Sequence, residues 1–159
     1  MGVTGSGKTT LGRRLAAELG WPYFEADDFH SDANRDKMSR GVPLTDEDRA
    51  PWLAALRARI DECAAAGRDA VFTCSALKEK YRQALLGGAG GDRVPHLVFL
   101  AAEPATVAAR LRERVGHYMP ASLIQSQFDI LEIPAHALQL DARLSPELLL
   151  AEIRRACGV

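Results

Sequence analysis

Residues 2–9 read Gly2-Val3-Thr4-Gly5-Ser6-Gly7-Lys8-Thr9 and satisfy the pattern G-x-x-x-x-G-K-[ST] at every fixed position. Leu11, Leu15 and Leu19 follow at four-residue spacing and Gly20 ends the run, so an amphipathic helix is predicted over Thr9 to Leu19. A glycine-rich turn that opens a helix brings successive backbone N–H groups together where the helix dipole already favours negative charge. Lys8 adds a point charge suited to β- and γ-phosphates, and the Thr9 hydroxyl is placed to ligate Mg²⁺. The alternative is a chance glycine-rich turn, but here the literal pattern and its context agree. ATP or GTP binding is therefore the inference, with Gly2, Thr4, Gly5, Ser6, Gly7, Lys8, Thr9 and Thr10 as the nucleotide-binding residues.

A loop of this kind belongs at the end of a buried strand of about five or six residues, yet only Met1 precedes Gly2. In a parallel sheet that strand would be central. Its neighbours would be left with unpaired backbone groups in the interior, each costing about 1–3 kcal/mol. The expectation is that Met1 is an internal methionine of a longer natural chain, which N-terminal sequencing of protein from its source would test.

The remaining pattern alternates helical stretches with short buried runs, the signature of an α/β domain with a parallel sheet. Strands are predicted at Tyr23 to Ala26, Ala70 to Cys74, His96 to Ala101 and Ala137 to Leu140. Helices are predicted from Pro51 to Gly67, Lys78 to Leu86, Pro104 to Gly116, Ala121 to Leu131, and after the Ser145-Pro146-Glu147 start signal. Gly87 to Gly91 reads as a surface connector. At 159 residues, 47% hydrophobic and 26% charged, the chain fits one domain spanning residues 1–159 and neither a disordered nor a fibrous class. A formal charge of −1 without a charge block argues against nucleic acid or anionic membrane as partner. No apolar run reaches the roughly 18 residues of a membrane span, and no signal peptide opens the chain, so a cytoplasmic location is expected. Cys63, Cys74 and Cys157 are widely spaced and read as reduced thiols.

A phosphoryl-transfer enzyme also needs a group that orients or deprotonates the acceptor, and cations that cover the developing charge. Asp27 and Asp28 follow a predicted strand, where the carboxyl ends of parallel strands form the ligand crevice. One of them can serve as base, and helix capping is the alternative, more so for Asp28. His30 can contact a polyol or carboxylate, or be a surface or capping residue. Arg49 follows the helix-start pattern Thr45-Asp46-Glu47-Asp48 and can clamp a carboxylate or remain a solvated arginine. Arg110 and Arg114 share one helical face ahead of Gly116-His117-Tyr118, which suits a closing lid that covers the γ-phosphate, or else an ordinary charged outer face.

Taken together these segments resemble the gluconate kinases, a P-loop group similar to the nucleoside-monophosphate kinases, over nearly the whole chain. The resemblance rests on the phosphate loop and on Asp27-Asp28-Phe29-His30 with Asn34, Lys37-Met38 and Gly41. It continues through Pro43-Leu44-Thr45-Asp46-Glu47-Asp48-Arg49 with Pro51-Trp52-Leu53, and Cys74-Ser75-Ala76-Leu77-Lys78 with Tyr81-Arg82. Arg110-Leu111, Arg114, Gly116-His117-Tyr118-Met119, Gln127, Leu131-Glu132 and Pro134 are similar to the family's lid and the segment after it. The fold implied is a three-layer P-loop parallel sheet flanked by helices, with a helical lid over residues 110–134 and a truncated first strand. The activity implied is transfer of the γ-phosphoryl of MgATP to the 6-hydroxyl of D-gluconate, in a cytoplasmic homodimer.

Carried over residue by residue, the resemblance makes Lys8, Asp27, Arg110 and Arg114 catalytic and gives Thr9 and Asp27 to the metal. It assigns Asp27, His30, Arg49, Lys78, Arg82 and His117 to the sugar acid. Two departures stand out: the strand before the loop is missing, and Ser31 stands where a proline is usual. A kinase for shikimate or a nucleotide is the first rival. A nucleotide-binding protein impaired by the missing strand is the second.

Overall fold

Gly7 sits in the left-handed region with φ 103° and forms the N-cap of α1 (Lys8–Leu19), a role that no side chain shares. Gly20, also left-handed, closes the helix at its other end. In the computed structural model, which describes residues 1–88, 95–113 and 121–159, the chain continues through β1 (Tyr23–Glu25), a 3₁₀ turn (Ala26–Phe29), α2 (Asp32–Ser39) and α3 (Asp46–Ala65). Then come β2 (Val71–Thr73), α4 (Glu79–Leu86), β3 (Val98–Ala101), α5 (Pro104–Glu113), α6 (Ala121–Asp129), β4 (Leu138–Asp141) and α7 (Pro146–Cys157). Residues 89–91 of the predicted connector, and Arg114, Gly116 and His117 of the predicted lid, lie outside the described residues.

β1 runs parallel to β2, with Tyr23 opposite Val71, and β3 runs parallel to β4, with Val98 opposite Leu138. Adjacent side chains on a strand point to opposite faces, and β2 shows the consequence. Val71 packs against the cluster of Leu11 and Leu15 from α1 with Leu149, Leu150 and Ile153 from α7. Phe72 packs against Trp52 and Leu56 from α3 with Tyr81 and Leu85 from α4. Helices therefore cover both faces, giving the three layers expected of an α/β chain. Among the described residues, no helix is long and apolar enough to cross a membrane.

Two elements differ from the sequence reading. The helix predicted to open at Pro51 begins five residues earlier, because Thr45 and Asp48 close a capping box. The Asp48 N–H donates to Thr45 Oγ1 at 3.2 Å and the Thr45 N–H to the Asp48 carboxylate at 3.0 Å. Pro51 is thereby an interior residue of α3, beyond its first turn, where the ring supplies no N–H to the helical ladder. The short helix α2 was not predicted. Its mean character is polar, and it is fixed by Ser31 as N-cap and by Asn34, whose amide donates to the Asp48 carbonyl at 2.7 Å.

The two strand pairs do not join each other directly. Between them lies Met1, which accepts a hydrogen bond from the Leu100 N–H at 3.0 Å and donates its terminal nitrogen to the Val98 carbonyl. This is the pairing of one residue in a parallel ladder opposite Phe99. The Gly2 N–H reaches the Ser75 carbonyl on the other side at 3.3 Å. A side chain at Gly2, where φ is 143°, would put Cβ 2.8 Å from the Leu100 carbonyl oxygen, so only glycine passes here. Beyond Met1 the space between β2 and β3 opens into a cavity of about 670 Å³, lined by Leu11, Leu15, Leu56, Val71, Leu85 and Val98 among others. Burial, with the Lys8 charge beside it, pulls the Met1 amino group from 8.0 down to about 5.

The shape and apolar lining of this slot suit an extended strand running parallel to its two neighbours. Joining an apolar strand of five or six residues ahead of Met1 should raise the melting temperature by more than about 10 °C, since several buried side chains each contribute about 1.5–3 kcal/mol. Differential scanning calorimetry of the 159-residue and extended chains checks this, and an unchanged transition would contradict the strand-shaped reading of the slot.

Candidate active site

The phosphate loop hangs from this ladder at the carboxyl end of the sheet. Val3 is buried among Val107, Leu111 and Leu77, and the Ser6 N–H closes the turn onto the Val3 carbonyl at 3.2 Å. Lys8 Nζ donates to the same carbonyl at 2.9 Å, which holds the ammonium over the loop. Ser6 Oγ is buried without a hydrogen-bond partner, the condition of a polar atom set for an anion rather than for protein. Gly5 and Gly7 take positive φ, and Thr10 lies exposed on the first turn of α1. The loop thus offers an uncapped helix N-terminus and a lysine to a phosphate chain.

Thr9 Oγ1 donates to Glu25 Oε2 at 2.8 Å, and Tyr23 donates to the same oxygen at 2.6 Å. With its proton directed at Glu25, the Thr9 hydroxyl keeps lone pairs for a hard cation. Glu25 is not among the residues that the sequence reading assigns to the site, unlike adjacent Asp27 and Asp28. The signal was the spacing Glu25-Ala26-Asp27, two carboxylates at one strand end. Asp27 opens to solvent in the crevice but is partly desolvated by the surrounding chain. That desolvation, with Glu25 and Asp28 nearby, raises its carboxyl above the ordinary value, while Lys8 pulls the other way. Among the described residues no three His, Cys, Asp or Glu side chains form a metal cage.

Ahead of α2, His30 is 8% exposed and stacks on Trp52, ring centroids 4.5 Å apart at 10°. The Trp52 indole is itself fixed by donation to the Ala26 carbonyl at 2.7 Å. His30 Nδ1 is buried without a partner. Burial first, then the charges of Arg49 and Arg35, lower the imidazole to about 4, so it is neutral at pH 7. Arg49 donates to the Leu44 carbonyl, lies over the Tyr81 ring at 5.6 Å and reaches the Tyr81 hydroxyl at 3.4 Å. Lys78 lies 5.8 Å from the centre of the same ring. Lys80 lies 5.7 Å from it as well, and the Tyr81 hydroxyl donates to Asp46 at 2.6 Å, so Tyr81, which the sequence reading did not single out for a role, is the platform around which three cations and a carboxylate gather.

Arg82 occupies a different position. It is 4% exposed, and its guanidinium donates to the carbonyls of Ala76 and Leu77, at 3.0 and 3.1 Å, and to the Glu79 carboxylate. It braces the turn that presents Lys78, including Ala76 at φ 42°, a strained conformation for a residue with a Cβ. Arg110 reaches across from α5 to the Ser6 carbonyl at 3.0 Å and to the Ala142 carbonyl, binding the phosphate loop to the segment after β4. Arg114 and His117 lie outside the described residues.

A family model described as an AAA domain matches residues 1–132. The gluconokinase of Gluconobacter oxydans is 45% identical over 98% of this chain and 87% of the relative. The chain belongs to the gluconokinase family. A crystal structure of a gluconokinase from Sinorhizobium meliloti 1021 superposes with a TM-score of 0.87 at 38% identity, covering 99% of this chain and 89% of that one. An unliganded sugar kinase from Janibacter sp. HTCC2649 gives 0.90 at 43% identity over 100% and 92%. The α/β P-loop fold of the gluconokinase family is therefore that of this chain.

The neutral, buried His30 has a consequence for stability. Between about pH 4 and 6.5 the unfolded chain binds a proton at this residue that the folded chain refuses, so the stability contributed is full above 6.5 and declines as pH falls toward 4. Urea unfolding at pH 5 and 7 should show this decline, and His30→Gln should reduce it; an equal decline in the variant would contradict the assignment.

Proposed function

We propose that the chain is an ATP-dependent gluconokinase, transferring the γ-phosphoryl group of ATP to the 6-hydroxyl of D-gluconate to give 6-phospho-D-gluconate. The observation that carries this reading is the pairing, in a gluconokinase-family chain, of a phosphate loop with a cationic acceptor pocket. The loop bears Ser6, Lys8 and Thr9; the pocket bears Arg49 and Lys78 on Tyr81, beside neutral His30. A linear carboxylate matches the cations Arg49 and Lys78.

In this reading the loop N–H groups and Lys8 hold the phosphates and aim the terminal one across the crevice. Asp27 orients the 6-hydroxyl and accepts its proton, a task helped by a carboxyl more basic than usual. Arg49 and Lys78 anchor the carboxylate, His30 orders the polyol, and Arg82 supports the Lys78 turn. Arg110 covers the phosphate side; the same reading gives Arg114 to the phosphates and His117 to the sugar acid, both outside the described residues. Thr9 and Asp27, with Glu25 accepting from Thr9, are the residues that would hold Mg²⁺. When bound, the ion neutralises charge on the β- and γ-phosphates. The reading includes a single kinase domain over residues 1–159, acting in the cytoplasm as a homodimer on a small-molecule substrate without nucleic-acid or membrane partners.

A coupled ADP-release assay across D-gluconate, shikimate and nucleoside monophosphates tests the proposal. Turnover should appear with gluconate, vanish in Lys8→Ala, and in Arg49→Ala show gluconate affinity weakened by about 2–5 kcal/mol. Turnover with shikimate or a nucleotide alone would assign a different acceptor. Unchanged gluconate affinity in Arg49→Ala would remove that arginine from the site.

A further inference from the structure

Gln127, on α6, lies 123 residues along the chain from the phosphate loop and has been given no role above. Its side chain grips one loop residue at two points. The Thr4 N–H donates to Gln127 Oε1 at 2.8 Å, and Gln127 Nε2 donates to Thr4 Oγ1 at 3.0 Å. A backbone N–H can only donate, so the orientation of the carboxamide is determined by its partner. The grip is reinforced on either side. Ile124 and Phe128 of α6, with Leu131 beyond it, pack on the cluster that buries Val3, Leu77, Val107 and Leu111. Glu132 then donates its N–H to the Leu77 carbonyl at 2.9 Å and accepts the Glu79 N–H. The segment from α6 to Glu132 is thus fastened to the phosphate loop at Thr4 and to the acceptor-side turn at residues 77–79. Gln127 supplies the only side-chain hydrogen bonds to Thr4 among the described residues.

We propose that Gln127 is a positioning residue whose carboxamide clasps the phosphate loop to α6, making loop geometry and α6 placement interdependent. The inference rests on the kinase reading for its kinetic consequence, but not for its effect on nucleotide affinity. A loop carrying an orphan Ser6 hydroxyl and several glycines does not hold its shape by local contacts alone. The clasp limits how far the turn at Thr4 and Gly5 can relax, and pre-organised donors bind without reordering. By linkage, a nucleotide that favours the clasped loop also favours docked α6, and the coupling is reciprocal.

Two variants separate the clasp from simple packing. Gln127→Met keeps length and apolar contact but removes both hydrogen bonds. Gln127→Glu lets the Thr4 N–H and hydroxyl both donate to a carboxylate, while adding negative charge near the phosphate site. Calorimetry with MgATP and no acceptor should show affinity reduced about tenfold in Gln127→Met, a result that does not depend on the identity of the acceptor. With gluconate, kcat should fall at least tenfold in Gln127→Met with gluconate KM within about twofold. In Gln127→Glu kcat should return to within about threefold of the parent chain while MgATP KM stays raised. MgATP should slow amide hydrogen exchange along residues 124–131 in the parent chain and less so in Gln127→Met. Native MgATP affinity and native α6 protection in a folded Gln127→Met chain, or Gln127→Glu as impaired in kcat as Gln127→Met, would overturn the proposal. Native MgATP effects without gluconate turnover in the parent chain would instead count against the gluconokinase reading alone.

Discussion

The site depends on a few backbone hydrogen bonds made by the first two residues. Met1 is held against β3 through Val98 and Leu100, and Gly2 against the end of β2 through Ser75. These contacts fix the point from which the phosphate loop departs, between two strand pairs that share no other ladder contact among the described residues. Everything placed by the loop inherits that position: the Gly7 cap, the Lys8 ammonium over Val3, and the Thr9 hydroxyl facing Glu25.

Around that anchor, charge is arranged in two zones with opposite tasks. In the proposed reading the loop side gathers N–H dipoles, Lys8 and Arg110 for phosphate, whereas the acceptor side sets Arg49, Lys78 and Lys80 around one aromatic ring beside a histidine kept neutral by burial. Between them Asp27 is made more basic by partial desolvation and its acidic neighbours. A carboxyl poised this way, open to the crevice, is suited to receive a proton that leaves an alcohol as its oxygen meets phosphorus.

Much of this was legible in the residues, and the exceptions share a physical cause. The phosphate loop, the α1 leucine stripe and the Ser145 cap of α7 are local patterns, and the structure agrees with each. The start of α3 was misread because two start signals compete within six residues, and the capping box prevailed over Pro51. α2 was missed because its stabilising contacts are tertiary, through Asn34 and the Lys37–Asp48 ion pair, rather than an apolar stripe. In the site, Asp27, His30 and Arg49 stand out by type, but Arg82 looks the same in sequence whether it faces substrate or braces Ala76. Glu25, Tyr81 and Gln127 act through partners 16, 32 and 123 residues away, and no spacing rule announces such pairings.

The central claim is that the loop and the acceptor pocket act on one phosphoryl group and one alcohol. Phosphorus NMR of the protein with MgATP and D-gluconate measures this directly. The account predicts that the γ-phosphate signal gives way to a phosphomonoester resonance coupled to the two protons of the gluconate C6 methylene, as ADP accumulates. Inorganic phosphate as the sole product, or an ester at another position, would contradict it.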